Sequence, residues 1–192
     1  MADHSKEQHV YDVFQSISDG YDHANNRISL GLQKGWKKML TDKLIANTPR
    51  GTNILDVCCG TGDIALRIAD ERHDLKVTGI DFSPAMLEVA ENKKRGRQNV
   101  RFRQGNAMKL PYRDNSFSAA CISFGLRNTA DYKQVLCEMR RVVKADGYIY
   151  CLDSFVPDNV LIQPFYKLYF RCIMPMLGGG RKYHQEYIWL YE

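Results

Sequence analysis

Ile54-Leu55-Asp56-Val57-Cys58-Cys59-Gly60-Thr61-Gly62-Asp63 is the stretch that decides the fold. Its apolar start reads as a buried parallel strand, and Gly60 and Gly62 let the backbone turn sharply beneath a ligand before a helix begins at about Asp63. A second apolar run, Val77-Thr78-Gly79-Ile80, ends at Asp81. A carboxylate at the end of a second strand can accept hydrogen bonds from the 2′- and 3′-hydroxyls of a ribose, so the two stretches together describe a nucleoside site.

Outward from this pair the chain alternates strand and helix signals. Strands are expected near 53–58, 76–81, 99–103, 117–123 and 147–153, with a helix after each of the first four. That is the pattern of an α/β protein with a doubly wound, mostly parallel sheet. The first 50 residues have apolar side chains at helical spacing, among them Val10, Val13, Phe14, Ile17 and Tyr21, and are expected to form a helical lid on the domain that occupies 51–192. Ligands of such sheets lie at the carboxyl ends of the strands. Four clusters fall there: Gly60-Thr61-Gly62, Asp81-Phe82, Gly105-Asn106-Ala107 and Ser123-Phe124-Gly125.

The glycines decide which nucleoside cofactor is expected. A dinucleotide fingerprint is G-x-G-x-x-G, with its pyrophosphate on the helix N-terminus. Here Cys58 stands at the first glycine position, and Asp63 follows the last glycine where a pyrophosphate would have to sit. Negative charge at that point favours a cationic ligand over NAD. S-adenosylmethionine carries a sulfonium and an ammonium group, to which Asp56 and Asp63 are complementary.

Composition bounds the remainder. With 192 residues, 44% of them apolar, one α/β domain has enough chain for a core. The net charge of +5 is a mild bias, and no basic stripe with interleaved aromatics marks a nucleic-acid binder. Lys93-Lys94-Arg95-Gly96-Arg97 reads as a solvated helix C-terminus capped by Gly96. The six cysteines, Cys58, Cys59, Cys121, Cys137, Cys151 and Cys172, contain no C-x-x-C pair and read as buried free thiols. With no secretory signal pattern, they point to a reducing, cytoplasmic setting. The apolar stretch from Val160 to Leu177 is broken by Pro164, Lys167, Arg171 and Pro175, which excludes a transmembrane helix.

The strings Leu55-Asp56-Val57-Cys58-Cys59-Gly60-Thr61-Gly62, Asp81-Phe82-Ser83-Pro84-Ala85-Met86-Leu87, Gly105-Asn106-Ala107-Met108-Lys109-Leu110-Pro111-Tyr112 and Phe124-Gly125-Leu126-Arg127-Asn128 closely resemble the demethylmenaquinone and ubiquinone C-methyltransferase family. The resemblance runs nearly end to end. Cys58-Cys59 and Asn106-Ala107-Met108 lean toward the menaquinone forms of Gram-positive type. It implies a class I fold, S-adenosylmethionine as cofactor and a prenylated quinol as substrate. It also implies a cofactor pocket in which Thr61 lies near the methionine end, Asp81 on the ribose, Asn106 and Ala107 around the adenine and Ser123 beneath the cofactor. Asn106 offers a donor and an acceptor to adenine edges, and Phe82 can pack on a base face. Arg127 and Asn128 would hold a water or the developing phenolate, with Tyr21, Asp22 and His23 closing from the lid.

Plainer readings stand beside these. Ser123 can be a local hydrogen-bonding residue. Asn128-Thr129-Ala130-Asp131 can be a helix N-cap, and Arg127 can pair with a carboxylate. Asp22 and His23, before Asn25-Asn26, can belong to a turn. Phe165, Tyr166, Leu168, Tyr169, Phe170, Ile173 and Met174 can serve as core, as a homodimer interface or as the lipid contact of a peripheral enzyme. An NAD oxidoreductase would lack its third glycine and a hydride-transfer set. Family members continue past Tyr187–Glu192 into an antiparallel strand pair, which is therefore expected to be missing here. Asp153-Ser154-Phe155 departs from the family's glutamate.

Overall fold

The computed structural model describes residues 4–154, 158–169, 171, 174 and 177. Three helices come first, α1 (His4–Ile17), α2 (Tyr21–Ile28) and α3 (Leu32–Asn47). Strand and helix then alternate as β1 (Asn53–Val57), α4 (Asp63–Glu71), β2 (Lys76–Asp81), α5 (Pro84–Lys94) and β3 (Val100–Gln104). The chain continues through β4 (Phe117–Ser123), α6 (Tyr132–Val142), β5 (Val143–Leu152) and α7 (Gln163–Leu168). The described strands form one parallel sheet in the order β3-β2-β1-β4-β5. Order reverses between β1 and β4, which opens a crevice at their carboxyl ends.

Period-two alternation feeds both faces of the central strands. Ile54 packs with Leu44, Ile64, Ile68 and Leu75 on the α3–α4 side. Its neighbour Leu55 packs with Ile122, Val135 and Met139 on the α6 side. Each such side chain, fully withdrawn from water, contributes about 1.5–3 kcal/mol. The N-terminal helices bury Val13, Ile17 and Ala24 against Met86 of α5. They are held there by Gln15, whose Oε1 accepts from Ser83 Oγ (2.7 Å) and from Ala85 N (2.9 Å) at the start of α5.

Several expectations are corrected. No helix follows β3: residues 105–116 are turns, because Gly105, Pro111 and Asn115 punctuate a stretch too short for a helix. The fifth strand begins at Val143 rather than near 147, with an irregularity between the Phe117 and Ala119 pairings. Exposed Lys144-Ala145-Asp146 hides that start, and a Cβ on Gly147 would lie 2.5 Å from the Ser118 carbonyl oxygen. Cys137 and Cys151 are exposed, whereas Cys59 and Cys121 are buried and Cys58 is half-buried. Lys93, in the last turn of α5, is half-buried in an ion-pair network instead of being solvated, while Arg95 and Gly96 do end the helix in left-handed conformation. Among the described residues no helix is long and apolar enough to cross a membrane. The Tyr187–Glu192 stretch and the side chains of Phe170, Cys172 and Ile173 lie outside the described residues.

Candidate active site

The glycine turn is built on left-handed backbone. Cys58 (φ 53°), Gly60 (φ 52°) and Gly62 (φ 82°) all take it, so Cys58 adopts at a strain cost the conformation that a glycine would adopt freely. A Cβ on Gly62 would lie 2.7 Å from the Phe102 ring, so that glycine serves close packing and lines neither of the two cavities at the strand ends. Beneath the turn, Asp56 is 1% exposed and its Oδ2 accepts from Ala65 N (3.1 Å) in the first turn of α4. Burial pushes the Asp56 carboxyl up to about 7, against hydrogen bonds from Cys121 and Ala65 that lower it. Burial likewise pushes the thiols of Cys58, Cys59 and Cys121 well up, which leaves them protonated and poor nucleophiles.

Two cavities meet at the carboxyl ends of β1 and β4. The smaller, about 390 Å³, is lined by Asp81, Phe82, Asn106 and Ala107 and is covered by Tyr11 and Phe14 of α1. The larger, about 450 Å³, is lined by Asp56, Thr61, Lys37, Trp36 and Arg127. Tyr21, Cys58, Gly60, Ser123, Phe124 and Asn128 face both. Either volume falls in the range of small-molecule sites.

The polar groups of the smaller cavity suit a nucleoside. Asp81 accepts from Gly60 N (2.8 Å) through Oδ2 and from Ser83 N (3.0 Å) through Oδ1. Each oxygen keeps a further lone pair for a ligand hydroxyl. Burial raises the Asp81 carboxyl, against those same backbone donors. Asn106 Oδ1 accepts from Met108 N (2.8 Å), so its carbonyl fixes the local turn. The Ser123 hydroxyl is buried with no hydrogen-bond partner among the described residues, and it faces both cavities. An unpartnered buried hydroxyl costs free energy unless a ligand or water meets it, so this atom and the Asp81 lone pairs fit a bound adenosine-type cofactor.

The larger cavity carries the charges. Asp63 is held by Lys37 (2.9 Å) and by Lys93. Lys93 also reaches Asp22 (2.9 Å) and Thr61 Oγ1 (3.2 Å). The Thr61 hydroxyl in turn donates to Asp22 (2.7 Å). Burial tends to raise Asp63, but Lys37 and Lys93 outweigh it and hold the carboxyl below its ordinary value. Two expectations change here. The negative charge of Asp63 is neutralised by lysines, which leaves Asp56 as the carboxyl of this cavity without a cationic partner among the described residues; and the Thr61 hydroxyl is engaged with α2. Asp22 lines neither cavity but belongs to this network, and His23 is exposed outside both.

At the far rim, Asn128 is not the helix cap. Asp131 caps α6 by accepting from Lys133 N (2.9 Å) and Gln134 N (3.0 Å), while the Asn128 amide donates to Phe124 O (3.4 Å). Arg127 pairs with Asp153 at the end of β5. Tyr21 stacks edge-on against Phe14, and burial raises its hydroxyl, with Asn25 as hydrogen-bond partner. It therefore enters the site as a neutral donor near neutral pH. Lys37 and Gln15 were not singled out by sequence, Lys93 was read only as part of a solvated helix end and Asp153 only as a departure from the family's glutamate, because each acts across an element boundary that local patterns do not encode.

Comparison with known proteins is consistent with this geometry. The chain is 44% identical over 190 residues to the demethylmenaquinone methyltransferase of Bacillus licheniformis, covering 98% of this chain and 81% of the relative. It is 46% identical to that of Shouchella clausii, again covering 98% and 81%. With the Staphylococcus saprophyticus protein of the same description it shares 42% over 195 residues, 100% of this chain and 83% of the relative. Among solved structures, a putative methyltransferase from Bacillus halodurans superposes with TM-score 0.60 at 25% identity, covering 72% of this chain and 60% of that one. The YcgJ protein of Bacillus subtilis gives TM-score 0.58 at 27% identity, covering 68% and 56%. The model of the ubiE/COQ5 methyltransferase family matches residues 2–192, and the chain belongs to that family.

Proposed function

We propose that the chain methylates a ring carbon of demethylmenaquinol, a prenylated naphthoquinol, in menaquinone biosynthesis, with S-adenosylmethionine as methyl donor. The observation that carries this reading is the pair of joined cavities, one nucleoside-like around Asp81, the other walled by aromatic and apolar side chains. When bound, the cofactor supplies an electrophilic methyl group on a sulfonium that departs as a neutral thioether.

The chain's own residues do the rest. Asp81 would hold the ribose hydroxyls, Asn106 and Ala107 would border the adenine, and Phe82, itself packed on Tyr11 at 5.7 Å, would pack on a ring face. The Ser123 hydroxyl, buried between the two cavities, would hydrogen-bond the cofactor. Gly60 would let the backbone approach it, Gly62 keeps α4 close, Asp56 would attract the ammonium and Thr61 would bound the methionine end. Methyl transfer to carbon is an in-line displacement, so most of the rate comes from fixing the two reacting atoms. Arg127 and Asn128 stabilise the phenolate that makes the ring carbon nucleophilic, with Tyr21 as a further donor, and once the carbon–carbon bond has formed the proton on that carbon passes to solvent water and the ring becomes aromatic again. Helices α1 and α2 act as a lid, latched by the Asp22–Lys93–Thr61 contacts.

The prenyl tail leaves past Leu30, Leu32 and Trp36, which line the larger cavity yet are 76%, 59% and 42% exposed. Exposed apolar rims of this kind suit contact with the membrane that holds the quinol. The test is calorimetric titration with S-adenosylmethionine and separately NAD, for the native chain and Asp81→Ala, followed by methyl transfer to short-chain demethylmenaquinol. Micromolar S-adenosylmethionine binding lost in the variant, with turnover, supports the reading; binding of NAD alone overturns it.

A further inference from the structure

Asp153, just past the end of β5, is buried against Arg127, and its contacts give it a role. Its side chain is 1% accessible, and among the described residues it meets Arg127 twice. Oδ1 accepts a hydrogen bond from Arg127 Nη1, and Oδ2 accepts from the Arg127 backbone N at 3.1 Å. Oδ1 also takes Ser154 N at 2.8 Å. One residue before, the Leu152 carbonyl accepts from Phe124 N at 2.7 Å, so the end of β5 fastens both ends of the 124–128 loop. The Arg127 side chain is long and 37% accessible, and among the described residues its ion pair is with Asp153.

We infer that Asp153 is a positioning residue: a buried carboxylate clamps the backbone and the guanidinium of Arg127 together and so fixes where its positive charge points in the larger cavity. This rests on the role proposed for Arg127 above. A carboxylate suits the task because a charge-assisted hydrogen bond is short and roughly twice as strong as a neutral one, and its direction is set by two points rather than one. Aspartate on a rigid strand end has only two rotatable bonds, which leaves the arginine little freedom. Misplacing a charge by about 1 Å is enough to cost on the order of a hundredfold in rate.

The experiment is a double-mutant cycle on the full 192-residue chain with Asp153→Asn, Arg127→Ala, both together, and Asp153→Glu. Turnover of short-chain demethylmenaquinol, S-adenosylmethionine affinity and the affinity for the anion of 2-hydroxy-1,4-naphthoquinone are read for each. The clamp requires that Asp153→Asn lower kcat tenfold or more while S-adenosylmethionine affinity stays within about twofold. It also requires that the double variant be no worse than Arg127→Ala alone, and that Asp153→Glu recover part of the rate. Independent, multiplicative losses overturn it, as does an unchanged kcat in Asp153→Asn. If the native chain does not methylate the quinol, the functional reading fails by itself. The clamp is then decided by the hydroxynaphthoquinone anion: Asp153→Asn must alter its affinity when Arg127 is present and leave it unaltered in the Arg127→Ala background.

Discussion

Asp56→Asn offers the sharpest test of how the glycine turn is built. The carboxyl is 1% exposed, and burial holds it at about 7, some three pH units above the ordinary aspartate. The sign follows from proton binding. Between about pH 4 and pH 7 the folded chain keeps a proton on Asp56 that the unfolded chain has released. Stability therefore falls as pH rises through this window, is fullest below the unfolded value and is lost above about 7. At about 1.4 kcal/mol per unit, the full span is roughly 4 kcal/mol, of which about 3 kcal/mol falls between pH 5 and pH 8. Asparagine is neutral throughout and keeps a carbonyl oxygen for Ala65 N, so the α4 start survives the change.

Urea denaturation followed by circular dichroism at pH 5, 6, 7 and 8 measures this directly. Native chain and variant should be nearly equal at pH 5 apart from a constant offset. By pH 8 the native chain should have lost about 3 kcal/mol more than the variant. Other titrating groups are common to both proteins and cancel in the difference. Parallel curves would refute the reasoning. The same group predicts a linked proton: near pH 6.5 a cationic ligand facing Asp56 should drive a proton off it. The binding enthalpy of S-adenosylmethionine should then vary with the ionisation heat of the buffer in the native chain and not in Asp56→Asn.

Three further outcomes follow from packing and caps. Asp131→Ala should cost about 1 kcal/mol in chemical denaturation by removing the α6 cap, with S-adenosylmethionine affinity unchanged. Gly62→Ala should cost more than about 1 kcal/mol, since it combines φ 82° with a Cβ 2.7 Å from the Phe102 ring; a thermal midpoint equal to the native one would contradict the packing account. Lys93→Met should cost less than about 1 kcal/mol globally, because its ion pairs are one-third exposed, yet it should speed proteolytic cleavage within 21–31 by releasing Asp22.

How much of this was legible in the sequence depends on the range of the interaction. Ile54–Val57 and Lys76–Asp81 declare themselves because alternation and terminal residues are local properties, and the reversal of strand order then brings Asp81, Asn106 and Ser123 to one crevice. The absent helix after β3 and the early start of β5 were misjudged where turn chemistry and an exposed edge strand hide the period. Charge was the harder matter. Asp63 and Asp56 look alike in sequence, and only tertiary pairing separates them. Lys37 from α3 and Lys93 from α5 converge on Asp63 and neutralise it, while Asp56 meets a backbone amide and a thiol and keeps its proton.

That separation gives the turn a division of labour. The neutralised Asp63 joins α3, α4 and α5 and, through Lys93, takes in Asp22 and Thr61 of the N-terminal helices and the turn. Its charge is then unable to select a ligand. Asp56 makes no ion pair among the described residues and lines the larger cavity, so it is the carboxylate whose ionisation a cationic ligand can still alter. Asparagine at position 63 should therefore loosen the N-terminal helices before it weakens the binding of a cation, and the Asp56 replacement should do the reverse. Measuring protease sensitivity and S-adenosylmethionine affinity side by side for Asp63→Asn and Asp56→Asn separates the two roles; equal effects of both variants on both readouts would mean that the turn has a single shared charge and no such division.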